Sequence, residues 1–265
     1  GDTSANVWAM DDRVDAPELV DPPSGWLAST NGAPWAITDE SANIGPEAFP
    51  DAAPAIETYV TNRGYRAMEI LSPLARISDA QLLEAKFDLV SSERSQTMEM
   101  VRLILAADAA GDAELAEIQN LLRGWDRRAA NDSPAAALVG MAFQTLYNAE
   151  RANEPRPDPV QSARDAAAQL REHFGRLDPS LGDVLRLRRG DVDLPLEGAA
   201  DVLRALRWDY DPDGRASANF GDGFMMVMAW APDGSLTTRV IHQWGASERP
   251  ESEHYDNQSE LFVQR

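Results

Sequence analysis

The run Phe224-Met225-Met226-Val227-Met228-Ala229-Trp230, the turn Ala231-Pro232-Asp233-Gly234 and the return from Leu236 to Trp244 decide the fold class. The first run is continuously apolar and of strand length. Pro-Asp-Gly is turn chemistry, and the β-branched residues of the return suit a second strand. The pattern predicts a β-hairpin buried on both faces. Two isolated strands are marginal in water, so such a hairpin needs a larger sheet to join.

Upstream the period changes from two to 3.6. Ile56, Val60, Met68 and Leu71 mark a helix ending near Ser72-Pro73, and Ser78-Asp79-Ala80-Gln81 reads as a capping box. Leu83, Phe87 and Val90 share one face, as do Met98, Val101 and Leu105, predicting a long or broken helix. Gly111-Asp112 restarts the pattern with Leu115, Ile118, Leu122 and Trp125. Ser133-Pro134 supplies a cap and first-turn proline for Val139, Phe143 and Leu146. Asp158-Pro159 opens a helix striped by Val160, Ala163, Ala167, Leu170 and Phe174, with Gly175 placed to end it. Before residue 54 the chain is loop-rich, with one short candidate strand, Gly25 to Ser29. The reading is α+β: a loop-rich segment over 1–54, a mainly helical region over 55–207, and a hairpin with its tail over 208–265, together one structural unit expected to be completed by upstream chain outside these residues.

Composition narrows the function classes. The 265 residues carry 44 acidic and 24 basic side chains, a formal net charge of −20. Such a surface repels phosphate backbones, so no nucleic-acid partner is expected. No apolar run approaches the length of about 20 residues that a membrane helix requires, so no membrane partner is expected. Cysteine is absent, which removes disulfides, thiolate metal sites and cysteine nucleophiles.

Self-contained catalytic motifs are lacking: the chain has no H-E-x-x-H, G-x-S-x-G, P-loop or dinucleotide fingerprint. Asp209-Tyr210-Asp211-Pro212-Asp213-Gly214 starts like a calcium loop, but Phe220 stands where a bidentate Glu must close the shell, so a solvated turn is expected. His173 sits in a last helical turn, where a cation suits the dipole, and His242 alternates with hairpin side chains. Asp11-Asp12 reads as solvated charge, and Arg186, Arg188 and Arg189 read as internally paired cations.

The stretch Asp21-Pro22-Pro23-Ser24-Gly25-Trp26-Leu27-Ala28-Ser29-Thr30-Asn31-Gly32-Ala33-Pro34-Trp35 resembles a segment of penicillin-acylase-type N-terminal-nucleophile hydrolases. Asn62-Arg63, opening a helix after a proline-rich loop, is similar to the segment holding that family's active-site arginine. The resemblance continues through Leu122 to Asp126, Asn131-Asp132-Ser133, Gly182-Asp183-Val184, Leu194-Pro195, Gly221-Asp222-Gly223 and His254 to Gln258, so it covers almost the whole chain. Arg186 to Pro195 and Ala33-Pro34-Trp35 lean toward acyl-homoserine-lactone and aculeacin-type acylases, which implies quorum quenching or antibiotic biosynthesis. Gly32 stands where the family more often carries a polar residue, and Asn257 where relatives commonly carry Asp.

The resemblance implies an αββα sandwich and hydrolysis of a small acylated amide. An N-terminal Ser is the nucleophile, freed by zymogen processing, and its own α-amine is the base. Asn31 becomes the oxyanion-hole donor, and Arg63 a fixed cation ordering it. Gly1 has no hydroxyl, and Thr3 and Ser4 are not terminal, so the nucleophile is expected outside this chain. The partners are then the α chain and the N-terminal part of the β chain of one precursor. No catalytic cofactor is expected. A structural calcium is implied, with Asp51 as a candidate ligand, and so is export to the periplasm or beyond. The alternatives are a non-catalytic binding or scaffold module that keeps the fold, and a solute-binding helical domain outside the family. Proximity of Asn31 and Arg63 discriminates against the last.

Overall fold

Helices here begin where a side-chain oxygen meets the orphan amide groups of a first turn. In the computed structural model the described residues are 17–49 and 56–264. Thr61 accepts from the Gly64 N–H and opens α1 (Asn62–Leu71). Ser78 and Gln81 form the expected capping box of α2 (Asp79–Lys86). Ser95 caps α3 (Gln96–Ala106), Asp112 caps α4 (Ala113–Arg123), and Asp158 caps α6 (Pro159–Phe174), which Gly175 ends at φ +70°. The intervening helix, α5 (Ala136–Arg151), has no side-chain cap.

Three helical expectations are corrected. Ile56 and Val60 lie in irregular chain before Thr61, not in α1. Ser133 does not cap α5: its N–H donates to the Ala130 carbonyl and its own carbonyl accepts from Leu181, so the helix starts only at Ala136. The face drawn through Leu83, Phe87 and Val90 is broken after Lys86. There the chain pairs with residues 127–129 instead, Ser91 donating to the Arg127 carbonyl and Ala129 to that of Leu89.

The chain divides into two units, residues 1–75 and 76–265. In the first, Trp26, Ala33, Ala36, Ala67, Met68 and Leu71 are buried. The expected strand at Gly25 to Ser29 is absent. Gly25 turns at φ +73°, and Ala28 makes a single cross-chain backbone bond, to Ile37, too little for a ladder.

In the second unit a short helix, α7 (Leu181–Val184), leads into β1 (Leu185–Arg189). Then come β2 (Val192–Pro195), β3 (Leu206–Tyr210) and β4 (Ala216–Gly221). The sheet order is β2-β1-β4-β3, with β1 and β4 parallel and the outer pairs antiparallel. Its inward side chains, Leu185, Leu187, Leu206, Trp208 and Ala216, join Phe143, Leu146, Leu170 and Ile118 in one core. Each large apolar side chain buried there contributes about 1.5–3 kcal/mol. A bulge between Arg207 and Trp208 interrupts the ladder, and the buried Gln144 amide satisfies the Trp208 backbone, donating to its carbonyl at 3.0 Å and accepting from its N–H at 3.4 Å.

The hairpin forms with the expected turn, pairing β5 (Phe224–Trp230) with β6 (Leu236–His242). Its burial differs from the expectation of two covered faces. Phe224, Met226, Met228 and Trp230 are 43–65% exposed, and among the described residues the hairpin is a two-stranded sheet of its own. Met225, Val227 and Ile241, on the opposite face, line a cavity of about 340 Å³ with Leu83, Phe87 and Leu261. The last helix, α8 (Ser259–Gln264), buries Phe262 in the core. The fully buried Arg204 donates to the Phe262 carbonyl at 2.7 Å and stacks on the rings of Phe262 and Phe87.

The arginines of β1 are paired as expected. Arg186 bonds Asp193, Arg188 bonds Asp211 and Asp213, and Arg189 lies over the Tyr255 ring. The calcium-like run is a turn whose carboxylates Asp211 and Asp213 face Arg188. The Arg188 guanidinium, helped by the Arg215 N–H, holds the Asp213 carboxyl well below the usual carboxylate range. A lowered folded-state pKa contributes stability above the unfolded value, about 3.9, that is lost as pH falls through the folded one. Asp213→Asn is therefore expected to destabilise the protein at pH 7. The gap from the parent in urea unfolding closes as pH drops below about 4.

Candidate active site

The loop that follows the Pro22-Pro23 turn is anchored before it reaches Asn31. Gly25 closes its turn onto the Pro22 carbonyl, Trp26 is buried, and the Thr38 hydroxyl donates to the Trp26 carbonyl at 2.7 Å. The Asn43 side-chain oxygen accepts from the N–H groups of Ile37 and Thr38, which fixes the returning limb. Asn31 then lies at φ +52°, in the left-handed region that Asn tolerates better than most side chains, and is exposed at the crest of the loop. Two residues later Ala33 donates to the Tyr59 carbonyl at 2.8 Å, joining the loop to the chain that enters α1.

Arg63 is the second residue of α1, and its Nη1 donates to Asn31 Oδ1 at 3.1 Å. A guanidinium has donors and no acceptor, so the atom facing it must be the amide oxygen. The amide is thereby oriented, and Nδ2 with its two N–H groups occupies the other branch. A cation on the oxygen also polarises the amide, which strengthens those N–H groups as donors. The arrangement is a pre-oriented donor beside a positive charge, suited to an oxygen that gains negative charge during a reaction.

Two glycines allow the approach. A Cβ at Gly32 would meet Thr61 Cγ2 at 3.1 Å and the Thr61 N and Tyr59 O at 3.2 Å, and one at Gly64 would meet Thr30 Oγ1 at 3.2 Å.

Asn31 and Arg63, separated by half a loop and a helix start, are thus brought together. The histidines are not gathered into a site: His173 ends α6, the His242 ring packs edge-on against Phe224, and His254 bonds Asn257. Asp11, Asp12 and Asp51, with Gly1, Thr3 and Ser4, lie outside the described residues. Among the described residues no group of three or more His, Asp and Glu is arranged to hold a metal ion. The sequence reading passed over Thr61. Its signal is a hydroxyl three residues before Gly64, masked by apolar spacing that continues back to Ile56.

The penicillin amidase family model matches residues 1–265. The chain belongs to the penicillin amidase family. A penicillin amidase chain is of the acylase, amide-hydrolysing type, and the α+β architecture described above is consistent with that family.

Gly32→Ala is expected to lower the unfolding free energy by about 1–3 kcal/mol, because the atoms it meets are largely backbone and cannot yield. Urea denaturation of the full protein measures it.

Proposed function

We propose that this chain supplies the oxyanion donor of an amide-hydrolysing acylase, with Asn31 Nδ2 as the donor and Arg63 as the cation that orients it. The observation carrying this reading is the Arg63–Asn31 bond, which commits the amide oxygen to the guanidinium and leaves the N–H groups for substrate. The nucleophile is an N-terminal Ser encoded outside residues 1–265 of the same precursor. Its hydroxyl oxygen attacks the amide carbonyl carbon while its α-amine takes the proton. The carbonyl oxygen becomes an oxyanion and accepts from Asn31. Collapse breaks the C–N bond, the leaving amine takes the proton from the α-amine, and an acyl ester remains. Water, deprotonated by the same amine, then releases the acid. The partners are the α chain and the N-terminal part of the β chain.

The substrate is a small acylated amide with an apolar acyl group. The resemblance of Ala33-Pro34-Trp35 and Arg186 to Pro195 to acyl-homoserine-lactone and aculeacin-type acylases supports lactone or lipopeptide amides and a periplasmic or secreted setting.

Asn31→Ala in the full, processed protein is expected to lower kcat about 10²- to 10³-fold, with folding and precursor cleavage intact. Steady-state kinetics on acyl p-nitroanilides, with gel analysis of processing, check it. Normal turnover would overturn the assignment and favour a scaffold module that keeps the fold without the chemistry.

A further inference from the structure

Resting on the oxyanion reading of Asn31, we infer that the Thr30–Thr61 hydroxyl pair is a latch that sets the position of Asn31 relative to Arg63. Thr61 is only 5% exposed and stands two residues before Arg63. Thr30 immediately precedes Asn31. The Thr61 hydroxyl lies 3.1 Å from Thr30 Oγ1 and 3.4 Å from the Thr30 carbonyl oxygen, and it accepts from the buried Gly64 N–H at 3.1 Å. A hydroxyl has one proton and two lone pairs. Its lone pair is given to the first turn of α1, which carries Arg63, and its proton faces the residue that carries Asn31. One oxygen atom therefore belongs to both halves of the site.

The Arg63–Asn31 bond at 3.1 Å joins the same two segments through the side chains, and the hydroxyl pair joins them one residue earlier in the loop. The Ala33-to-Tyr59 bond fixes the far side of Asn31, but Asn31 sits between that bond and the latch, in a left-handed conformation that needs both flanks held. The glycines at 32 and 64 let the two segments close to this distance. Losing the latch moves the amide without removing it. Because misplacement by about 1 Å costs on the order of 10²-fold in rate, the effect falls on the chemical step. Thr30 and Thr61 are positioning residues, acting through Asn31 and Arg63.

The test is kinetic, on the full processed protein with acyl p-nitroanilides. Thr61→Val keeps the branched shape and removes the hydroxyl; kcat is expected to fall about 10- to 100-fold with KM held within about twofold. Thr61→Ser restores the hydroxyl and is expected to return kcat to within about threefold of the parent. Thr30→Val leaves the helix cap intact and therefore reports on the latch even where Thr61→Val impairs folding. It is expected to lower kcat with little change in thermal midpoint. In an Asn31→Ala background Thr61→Val should add almost nothing, since both act through the same donor.

Near-parental kcat in both Thr30→Val and Thr61→Val, with Asn31→Ala inactive, overturns the latch alone. A rise in KM at unchanged kcat in those variants also overturns it. Full activity in Asn31→Ala overturns the oxyanion reading and the latch together.

Discussion

A guanidinium donates hydrogen bonds and accepts none, and this one-sidedness organises the candidate site. The side-chain amide of an exposed Asn is free to present either oxygen or nitrogen outward. With Arg63 Nη1 at 3.1 Å only one presentation survives, the one that turns the donors away from the cation. The constraint then propagates into backbone. Arg63 must be near the start of α1, because a guanidinium further along the helix would be carried away from the loop at 1.5 Å per residue. The loop must crest at Asn31 in a left-handed conformation, and the segments on either side must approach closely enough that glycine stands at 32 and 64.

The second unit solves a different problem with the same economy of polar groups. The β3–β4 register skips Asn219 of β4, and beside that bulge the buried Trp208 turns its N–H and C=O toward α5 in the interior, where an unmet polar group costs about 1–3 kcal/mol. Gln144 answers both with one amide, and its place in the middle of α5 fixes how that helix crosses the sheet. Arg204 plays a comparable part at the other end, where a buried cation is held by a carbonyl and the faces of two rings and thereby secures α8.

Local chemistry was readable in the sequence wherever one residue decides the outcome. Ser78 with Gln81, Asp112, Asp158 and Gly175 each meet a helix end within three residues, and Pro232-Asp233-Gly234 turns the hairpin. Reading failed where tertiary pairing competes with local pattern. The alternation Leu185-Arg186-Leu187-Arg188 is a strand signal, with the leucines buried and the arginines on the other face, but three arginines in four residues also read as a charge cluster, which hides the period. Beyond residue 86 the helical pattern yielded to backbone pairing with residues 127–129, which no local rule anticipates. Asn31 and Arg63 lie 32 positions apart with no periodic relation, so resemblance alone proposed them as a pair, and their distance became visible only in the fold.

The hairpin carries a consequence for how the chain behaves in solution. Phe224, Met226, Met228 and Trp230 form a contiguous greasy stripe on a sheet that has two strands among the described residues, a template for sticking to like surfaces. What opposes this is the repulsion set up by the formal charge of −20 on residues 1–265. That repulsion weakens as added salt shortens the Debye length and fades as pH falls toward the isoelectric point of about 4.4 for these residues, so salt and acid both favour self-association through this strand face.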